Sequence, residues 1–302
     1  MSKSAVELVA TFVAAPGETF TLNTAARALA AAGVESFRPK WLDTGAALDI
    51  FFDAAEEPLQ TLRLKIENAL GASPVDVIVQ PLSFRRKALL VADMDGTMIE
   101  QECLDELAKT IGQGAKVAAL TAAAMRGEID FEAALTTRVA LFAGVGVEAI
   151  EGLVERLTPN PGARALVATM RAHGAHTALV SGGFTLFATP IGARLCFKEV
   201  FANRLDIEQG RLTGRIIPPI QGGKAKGEIL TLLRDTRAIA CEATLAVGDG
   251  ANDLSMLGLA GLGVAYRAKP QVAALAQARL MRADLTALLY AQGFTRDMFV
   301  KT

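Results

Sequence analysis

Ala88-Leu89-Leu90-Val91-Ala92-Asp93-Met94-Asp95-Gly96-Thr97 is the stretch on which the reading of this chain turns. Five apolar residues in a row fit a strand buried on both faces of a parallel sheet, and open α/β sheets place their ligands beyond the C-terminal ends of such strands. Asp93 and Asp95 then emerge together at that end. Two carboxylates so close to a buried strand point to a bound cation, with Asp93 placed like a nucleophile and Asp95 like a proton donor. Gly96 lets the backbone turn sharply, and Thr97 reads as no more than a cap.

Three further elements extend the pattern. Thr177-Ala178-Leu179-Val180 is a second short apolar run, and it ends in Ser181-Gly182-Gly183-Phe184, where a hydroxyl and free backbone N–H groups at a helix start make an anion site. Lys226, in Gly223-Lys224-Ala225-Lys226-Gly227-Glu228, precedes the helical spacing of Ile229, Leu230, Leu232 and Leu233, so it lies near a helix N-terminus. A cation there works against the helix dipole and needs another reason to be present. Leu245-Ala246-Val247 then leads into Gly248-Asp249-Gly250-Ala251-Asn252-Asp253, a third apolar strand ending in acids and glycines.

A phosphomonoester dianion attacked by an oxygen needs its developing charge neutralised, so catalysis is mostly positioning and electrostatics. Asp93, Asp95, Ser181, Lys226 and Asp249 supply such a set. A carboxylate approaching that dianion is repelled unless a divalent ion bridges them, and an oxygen-only donor set suits Mg²⁺.

These motifs, together with Phe201-Ala202-Asn203-Arg204-Leu205 and Ala268-Lys269-Pro270, resemble the phosphoserine phosphatases of the haloacid dehalogenase superfamily from about Ala88 to the C-terminus. The resemblance implies an α/β fold with a doubly wound, mostly parallel, Rossmann-like core. It implies Mg²⁺ held by the Asp93 and Asp249 side chains and the Asp95 backbone carbonyl, with Asp253 orienting Lys226 or a metal-bound water. Ser181 and Lys226 would hold phosphate oxygens, with the Gly182 N–H and Asn252 assisting. The Asp95 carboxyl would protonate the departing alkoxide and later activate water. Lys226 is preferred to Lys224 because the family's Ala-Lys-Gly-Glu string falls there.

Between the first two motifs, about Ile99 to Leu157 shows helical patterns and no strand ending in acids, which reads as a helical cap inserted over the site. The resemblance assigns Glu102 to a substrate ammonium, Arg138 to its carboxylate and Phe131 to an apolar wall. An arginine fork for a carboxylate and an acid for an amine fit that chemistry.

About Ala5 to Pro81 reads strand, helix (Leu22 to Ala32), strands (Ser36 to Leu42 and Ala46 to Phe52), helix (Leu59 to Leu70) and strand (Val75 to Val79). This order gives an antiparallel α+β, ferredoxin-like sheet. It resembles the amino-acid-sensing ACT domains, including Ala15-Pro16-Gly17 after the first strand, although Ala15 stands where those domains commonly carry an acid. The expected division is residues 1–84, regulatory or dimerising, and 85–302, catalytic, joined at Leu82-Ser83-Phe84-Arg85-Arg86-Lys87. An amino-acid effector and a homodimer are the partners this implies.

The 302 residues are 51% hydrophobic and carry a net charge of −1 of mixed sign, which argues against a nucleic-acid partner. Cys103, Cys196 and Cys241 are scattered and odd in number, as reduced cytoplasmic thiols would be. His173 and His176 receive no role. Val6 to Ala15 is interrupted by Glu7 and reads as a strand, not a signal peptide. Ala172 to Ala193 lacks Asp, Glu, Lys and Arg, but Ser181-Gly182-Gly183 and Pro190 divide it into strand, anion loop and helix, so no membrane segment is expected.

The sequence thus points to a cytoplasmic, Mg²⁺-dependent enzyme that hydrolyses O-phospho-L-serine, a small-molecule substrate, as the last step of serine synthesis. A phosphatase or phosphotransferase of the same fold acting on another small phosphomonoester, and an amino-acid-binding regulator, remain the alternatives.

Overall fold

The computed structural model describes residues 7–53, 57–125 and 128–301. The N-terminal region forms β1 (Glu7–Ala14), α1 (Leu22–Ala31), β2 (Arg38–Asp43), β3 (Ala47–Asp53), α2 (Leu59–Leu70) and β4 (Val75–Pro81). Its antiparallel sheet has the order β2-β3-β1-β4. The expected α+β layout is present, with element ends moved by a residue or two.

β1 explains how this sheet is used. Leu8, Ala10, Phe12 and Ala14 point to the core shared with α1 and α2. The alternate residues Thr11 and Val13 are equally buried, but Val13 packs into the core of the larger domain. Both sheet faces are therefore covered, one by helices and one by the rest of the chain.

The second sheet is built from β5 (Leu89–Ala92), β6 (His176–Phe184), β7 (Glu199–Glu208), β8 (Arg211–Ile217), β9 (Thr244–Gly248), β10 (Leu262–Tyr266) and β11 (Ala278–Leu280). Its order is β11-β10-β9-β5-β6-β7-β8, parallel except for the β7-β8 hairpin. β5 lies near the middle, and its side chains divide between two cores: Leu90 and Ala92 on one face, Leu89 and Val91 on the other. That double burial is why the strand reads as an unbroken apolar run.

The inserted cap comprises α3 (Cys103–Thr110), α4 (Gly114–Met125), α5 (Phe131–Ala140) and α6 (Val147–Val154). The sheet is flanked by α7 (Ala163–Ala172), α8 (Thr185–Arg194), α9 (Gly223–Thr236), α10 (Leu254–Leu259), α11 (Pro270–Leu275) and α12 (Ala287–Ala291). Helices α9 to α11 cover one face, while α7, α8 and α12 cover the other.

The cap closes at its base where Ile99 bridges Pro159 and the Asn160 side-chain amide donates to the Thr97 and Ile99 carbonyls at 2.8 and 3.0 Å. On its far side the α5-α6 turn is tied to the β7-β8 hairpin. Gly144 N–H donates to Leu212 O at 2.8 Å, Leu212 N–H to Val145 O at 2.9 Å, and Val147 N–H to Gly210 O at 3.0 Å.

Two details differ from the sequence reading. β6 continues through Ser181 to Phe184 instead of ending at Val180, and Pro190 lies inside α8. The Ser181-Gly182-Gly183 segment is thus an irregular continuation of the strand. Its register against β7 shifts between Val180 and Phe184.

The segment between β4 and β5 is a tight fastening. Arg85 forks onto the buried Asp49 of β3 at 2.8 and 2.9 Å, and its nitrogens also reach the Tyr290 and Ala291 carbonyls of α12 at 3.2 and 3.1 Å. Asp76 on β4 accepts the backbone N–H groups of Met281, Arg282 and Ala283 at 2.8 to 2.9 Å. Removing one partner of a buried ion pair strands the other, at a cost of about 3 kcal/mol or more. Arg85→Ala is therefore expected to lower the stability of the whole chain by about that amount in urea unfolding, with Asp49→Asn following it. A loss below about 1 kcal/mol would show that the fork does not fasten the domains.

Candidate active site

The C-terminal ends of β5, β6 and β9 bring the sequence motifs into one recess. The Asp93 N–H donates to Val247 O on β9 at 3.0 Å, extending the parallel ladder one residue past β5. Its carboxylate then meets Lys226, whose Nζ lies 2.6 Å from Asp93 Oδ1 and 2.6 Å from Asp253 Oδ1. All three residues are buried. Burial opposes charge on Lys226, but Asp93 and then Asp253 outweigh it and hold its pKa above the ordinary lysine value. This pairing supplies the reason for a cation at the start of α9. Lys224, two residues earlier, is exposed.

Asp253 has both oxygens engaged. Oδ1 meets Lys226, while Oδ2 accepts the Asp249 and Gly250 N–H groups at 3.1 and 2.9 Å. A Cβ at Gly248 would overlap the Asp253 carboxyl, so only glycine fits there. Gly96, at φ +70°, is likewise required, because a Cβ would sit 2.9 Å from the Asp249 carboxylate oxygens.

Asp249 itself accepts the Thr97 hydroxyl at 2.6 Å. Burial is the main cause that pushes its carboxyl up to about 6, with Asp253 and Asp95 adding to the shift and Thr97 and Lys226 opposing it. Carboxylate oxygens of Asp93, Asp249 and Asp253 lie within 4.8 Å of one another. Such an all-oxygen group of acids fits a hard divalent cation. Asp253 is the least free of the three to ligate.

Asp95 points to the other side of the recess. Its Oδ1 accepts the Cys103 N–H at 3.2 Å, and burial raises its pKa against that bond. Ser181 Oγ accepts the Gly183 N–H at 2.9 Å, which leaves the hydroxyl hydrogen free to donate elsewhere. A Cβ on Gly183 would lie 3.0 Å from Ser181 Oγ and 3.3 Å from Asp95 Oδ2, so the missing side chain keeps open the space between these two groups.

From the cap, Glu102 sits at the N-cap of α3 and Arg138 on α5. The Glu102 carboxyl is pushed up to about 7, first by desolvation and then by Asp95, Asp249 and Asp105, while Arg138 opposes the shift. Its residue surface is exposed, yet it shares a recess with the acids of the β5 and β9 motifs. Arg138 is half-buried, with Nη1 3.3 Å from the Thr121 hydroxyl; burial lowers its pKa, whereas Asp105 and Glu102 raise it. Glu102 thus senses Asp95 directly, and Arg138 senses Glu102. The Phe131 side chain lies outside the described residues. Asn252 is exposed at the lip, packed against Gly223 and Gly250.

Two contributors escaped the sequence reading. Thr97, read there as only a cap, is fully buried and bonded to Asp249. Asn203, quoted only within its motif, is buried on β7 and reaches both the Ser181-Gly182 segment and the approach to α9. A polar residue inside an apolar strand pattern was the signal available for Asn203. Cys103 is buried, and burial and Asp95 push its thiol far up, consistent with an inert small hydrophobe. Among the described residues no helix is long and apolar enough to cross a membrane.

Residues 90–258 match the model of the haloacid dehalogenase-like hydrolase family. A phosphoserine phosphatase of Idiomarina loihiensis is 46% identical over 188 residues, 62% of this chain and 86% of that protein. Phosphoserine phosphatase SerB2 of Mycobacterium tuberculosis is 40% identical over 237 residues, 78% of this chain but only 58% of the relative's length. Among solved structures, a HAD family hydrolase from Salmonella enterica subsp. enterica serovar Typhi superposes with a TM-score of 0.85 at 28% identity, covering 96% of this chain and 99% of that one. With the strand order, the four motifs at one sheet edge and these likenesses in agreement, the chain belongs to the haloacid dehalogenase-like hydrolases and, within them, to the phosphoserine phosphatase family.

Proposed function

We propose that this protein is a Mg²⁺-dependent phosphatase that hydrolyses O-phospho-L-serine to L-serine and phosphate through an aspartyl-phosphate on Asp93. The observation that carries the reading is the buried Lys226, pinned between Asp93 and Asp253, and the cap residues Glu102 and Arg138 support it through the electrostatic coupling of Glu102 to Asp95, Asp249 and Arg138. The relatives' shared activity supports the choice of substrate.

Asp93 and Asp249 side chains and the Asp95 backbone carbonyl would hold Mg²⁺, which when bound supplies charge neutralisation between the nucleophile and the phosphate dianion. The remaining work falls to the chain's own groups. Asp93 attacks phosphorus. Lys226 and the Ser181 hydroxyl, helped by the Gly182 N–H and Asn252, hold the equatorial oxygens as charge spreads over them. Asp95, whose pKa burial raises, gives its proton to the departing serine oxygen. It then takes one from the water that opens the aspartyl-phosphate. Asp253 orients Lys226. Glu102 takes the substrate ammonium, Arg138 its carboxylate, and Phe131 an apolar wall.

For residues 1–84 we propose an ACT-like module with an amino-acid effector and a role in homodimerisation, in a cytoplasmic enzyme. Because one sheet face is covered within the chain, the outer helix faces and the β2 edge are the surfaces that remain for a second copy.

Phosphate release from O-phospho-L-serine, measured with Mg²⁺ and after chelation, is the direct test. Turnover should require the ion and exceed that on other small phosphomonoesters, phosphohomoserine included. A preference for any of those would transfer the reading to another substrate.

Loss of a preorganised charge facing transition-state oxygens costs about 3 kcal/mol, so Lys226→Ala should lower kcat by about 100-fold or more. Lys224→Ala, at an exposed position, should change kcat by less than about threefold. Equal losses at both positions would remove Lys226 from its role.

Substrate recognition is separable from chemistry. Arg138→Ala and Glu102→Gln should damage phosphoserine hydrolysis far more than hydrolysis of p-nitrophenyl phosphate, which has neither an ammonium nor a carboxylate. A charge-assisted contact in a closed pocket is worth about 2 to 4 kcal/mol, so the ratio of the two kcat/KM values should fall by about 30- to 1000-fold. Parallel decline on both substrates would assign these residues to cap folding instead.

A further inference from the structure

β6 and β7 pair regularly up to Val180 and Phe201, and again at Phe184 and Asn203. Between those two pairs β6 runs through Ser181, Gly182 and Gly183, whereas β7 has only Ala202. The three-residue segment must therefore bow out of the ladder, and it is this bow that carries the hydroxyl aimed into the recess. Extra residues in a bulge leave backbone groups without ladder partners, and such groups need another partner when buried.

Asn203 provides it. Its side chain is buried, with 1% of its surface exposed, and Nδ2 donates to the Gly182 carbonyl at 2.9 Å. The same nitrogen donates to Gln221 O at 3.2 Å, and Oδ1 accepts the Gln221 N–H at 2.6 Å. One amide thus replaces a missing ladder bond on one side and forms a two-bond bridge to the backbone on the other. Gln221 lies two residues before α9, and Lys226 is the fourth residue of that helix.

We infer that Asn203 is a positioning residue that fixes the separation between the Ser181 hydroxyl and the Lys226 ammonium. The inference rests on the proposed phosphomonoester reading, in which these two groups hold the same phosphoryl oxygens. Lys226 is already tied to β5 and β9 through Asp93 and Asp253. The bowed segment has no such charge to anchor it, so its distance from Lys226 depends on a rigid polar strut. Asparagine suits the task because a short amide offers two donors and an acceptor in one plane. Aspartate matches its shape but offers no donor to the two carbonyls.

The test uses Asn203→Ala and Asn203→Asp in the full chain with Mg²⁺. A group that sets transition-state geometry changes kcat more than KM, and it weakens a transition-state mimic in proportion to kcat/KM. Both variants should lose about 10- to 100-fold in kcat on phosphoserine and on p-nitrophenyl phosphate, with KM within about threefold. Inhibition by orthovanadate should weaken by the same factor as kcat/KM. Asn203→Ser, which can still donate to one carbonyl, should recover part of the loss.

A purely structural role would instead lower the melting temperature while leaving kcat per folded molecule and the orthovanadate affinity within about twofold. That result overturns the inference, as does failure of all three variants to fold. Wild-type turnover of p-nitrophenyl phosphate without turnover of phosphoserine would sink the substrate reading alone, and the Asn203 comparison would still be decided on the first substrate.

Discussion

The ammonium of Lys226, 2.6 Å from each of two buried carboxylates, is the interaction on which the rest of the site depends. A lone buried lysine would give up its proton, and a pair of buried acids would resist sharing a site. Three charges arranged as acid, base, acid satisfy one another, and the Asp253 carboxylate gains two backbone N–H groups besides. With both carboxylates ionised, the trio carries one net negative charge beside Asp249. That surplus makes the recess receptive to a divalent cation and, once one is bound, to a phosphate dianion.

Neighbouring glycines follow from this packing of charge. With acids converging from β5 and β9 there is no volume for a Cβ at Gly248 or Gly96, since each would strike a carboxylate. On the opposite wall, Gly183 is bare for another reason: the space it leaves lies between the Ser181 hydroxyl and the Asp95 carboxyl, where the proposed mechanism puts the leaving-group oxygen. Glycine thus serves close packing on one side of the site and access on the other. The sequence pattern does not distinguish the two uses.

The parallel core was legible because its strands are buried on both faces and therefore read as short apolar runs, three of them ending in the candidate site residues. Asp93, Asp249 and Lys226 could be read from local context, with Lys226 separated from Lys224 by the family string and then by burial. Thr97 and Asn203 were harder, because their importance lies in partners 152 and 18 to 21 residues away. The strand extension through Ser181 was misread for a related reason. A Ser-Gly-Gly run signals a turn locally, yet the pairing of Phe184 with Asn203 pulls it back into the sheet. Cap residues Glu102 and Arg138 carry no local signature at all, since helix-face charges look alike whether they face solvent or substrate.

The N-terminal region illustrates how a pattern can be right while its use differs. The element order suggests an antiparallel sheet with helices on one face only, as a dimerising or ligand-binding module would offer, and that order is as expected. The polar residues on that second face, Thr11, Asp49, Asp76 and Gln80, are nevertheless buried. Each finds a partner: Thr11 donates to Asp49 at 2.7 Å, Gln80 donates to Ala291 O at 2.8 Å, and Asp76 and Asp49 hold the segments before and within α12 through backbone N–H groups and Arg85. A hydrogen-bonded polar seam is directional where an apolar one is not, so it fixes one docking angle between the two sheets. This region meets the larger sheet through β11 and α12 and reaches the end of α11 through Gln60 and Arg63, at the edge remote from the cap.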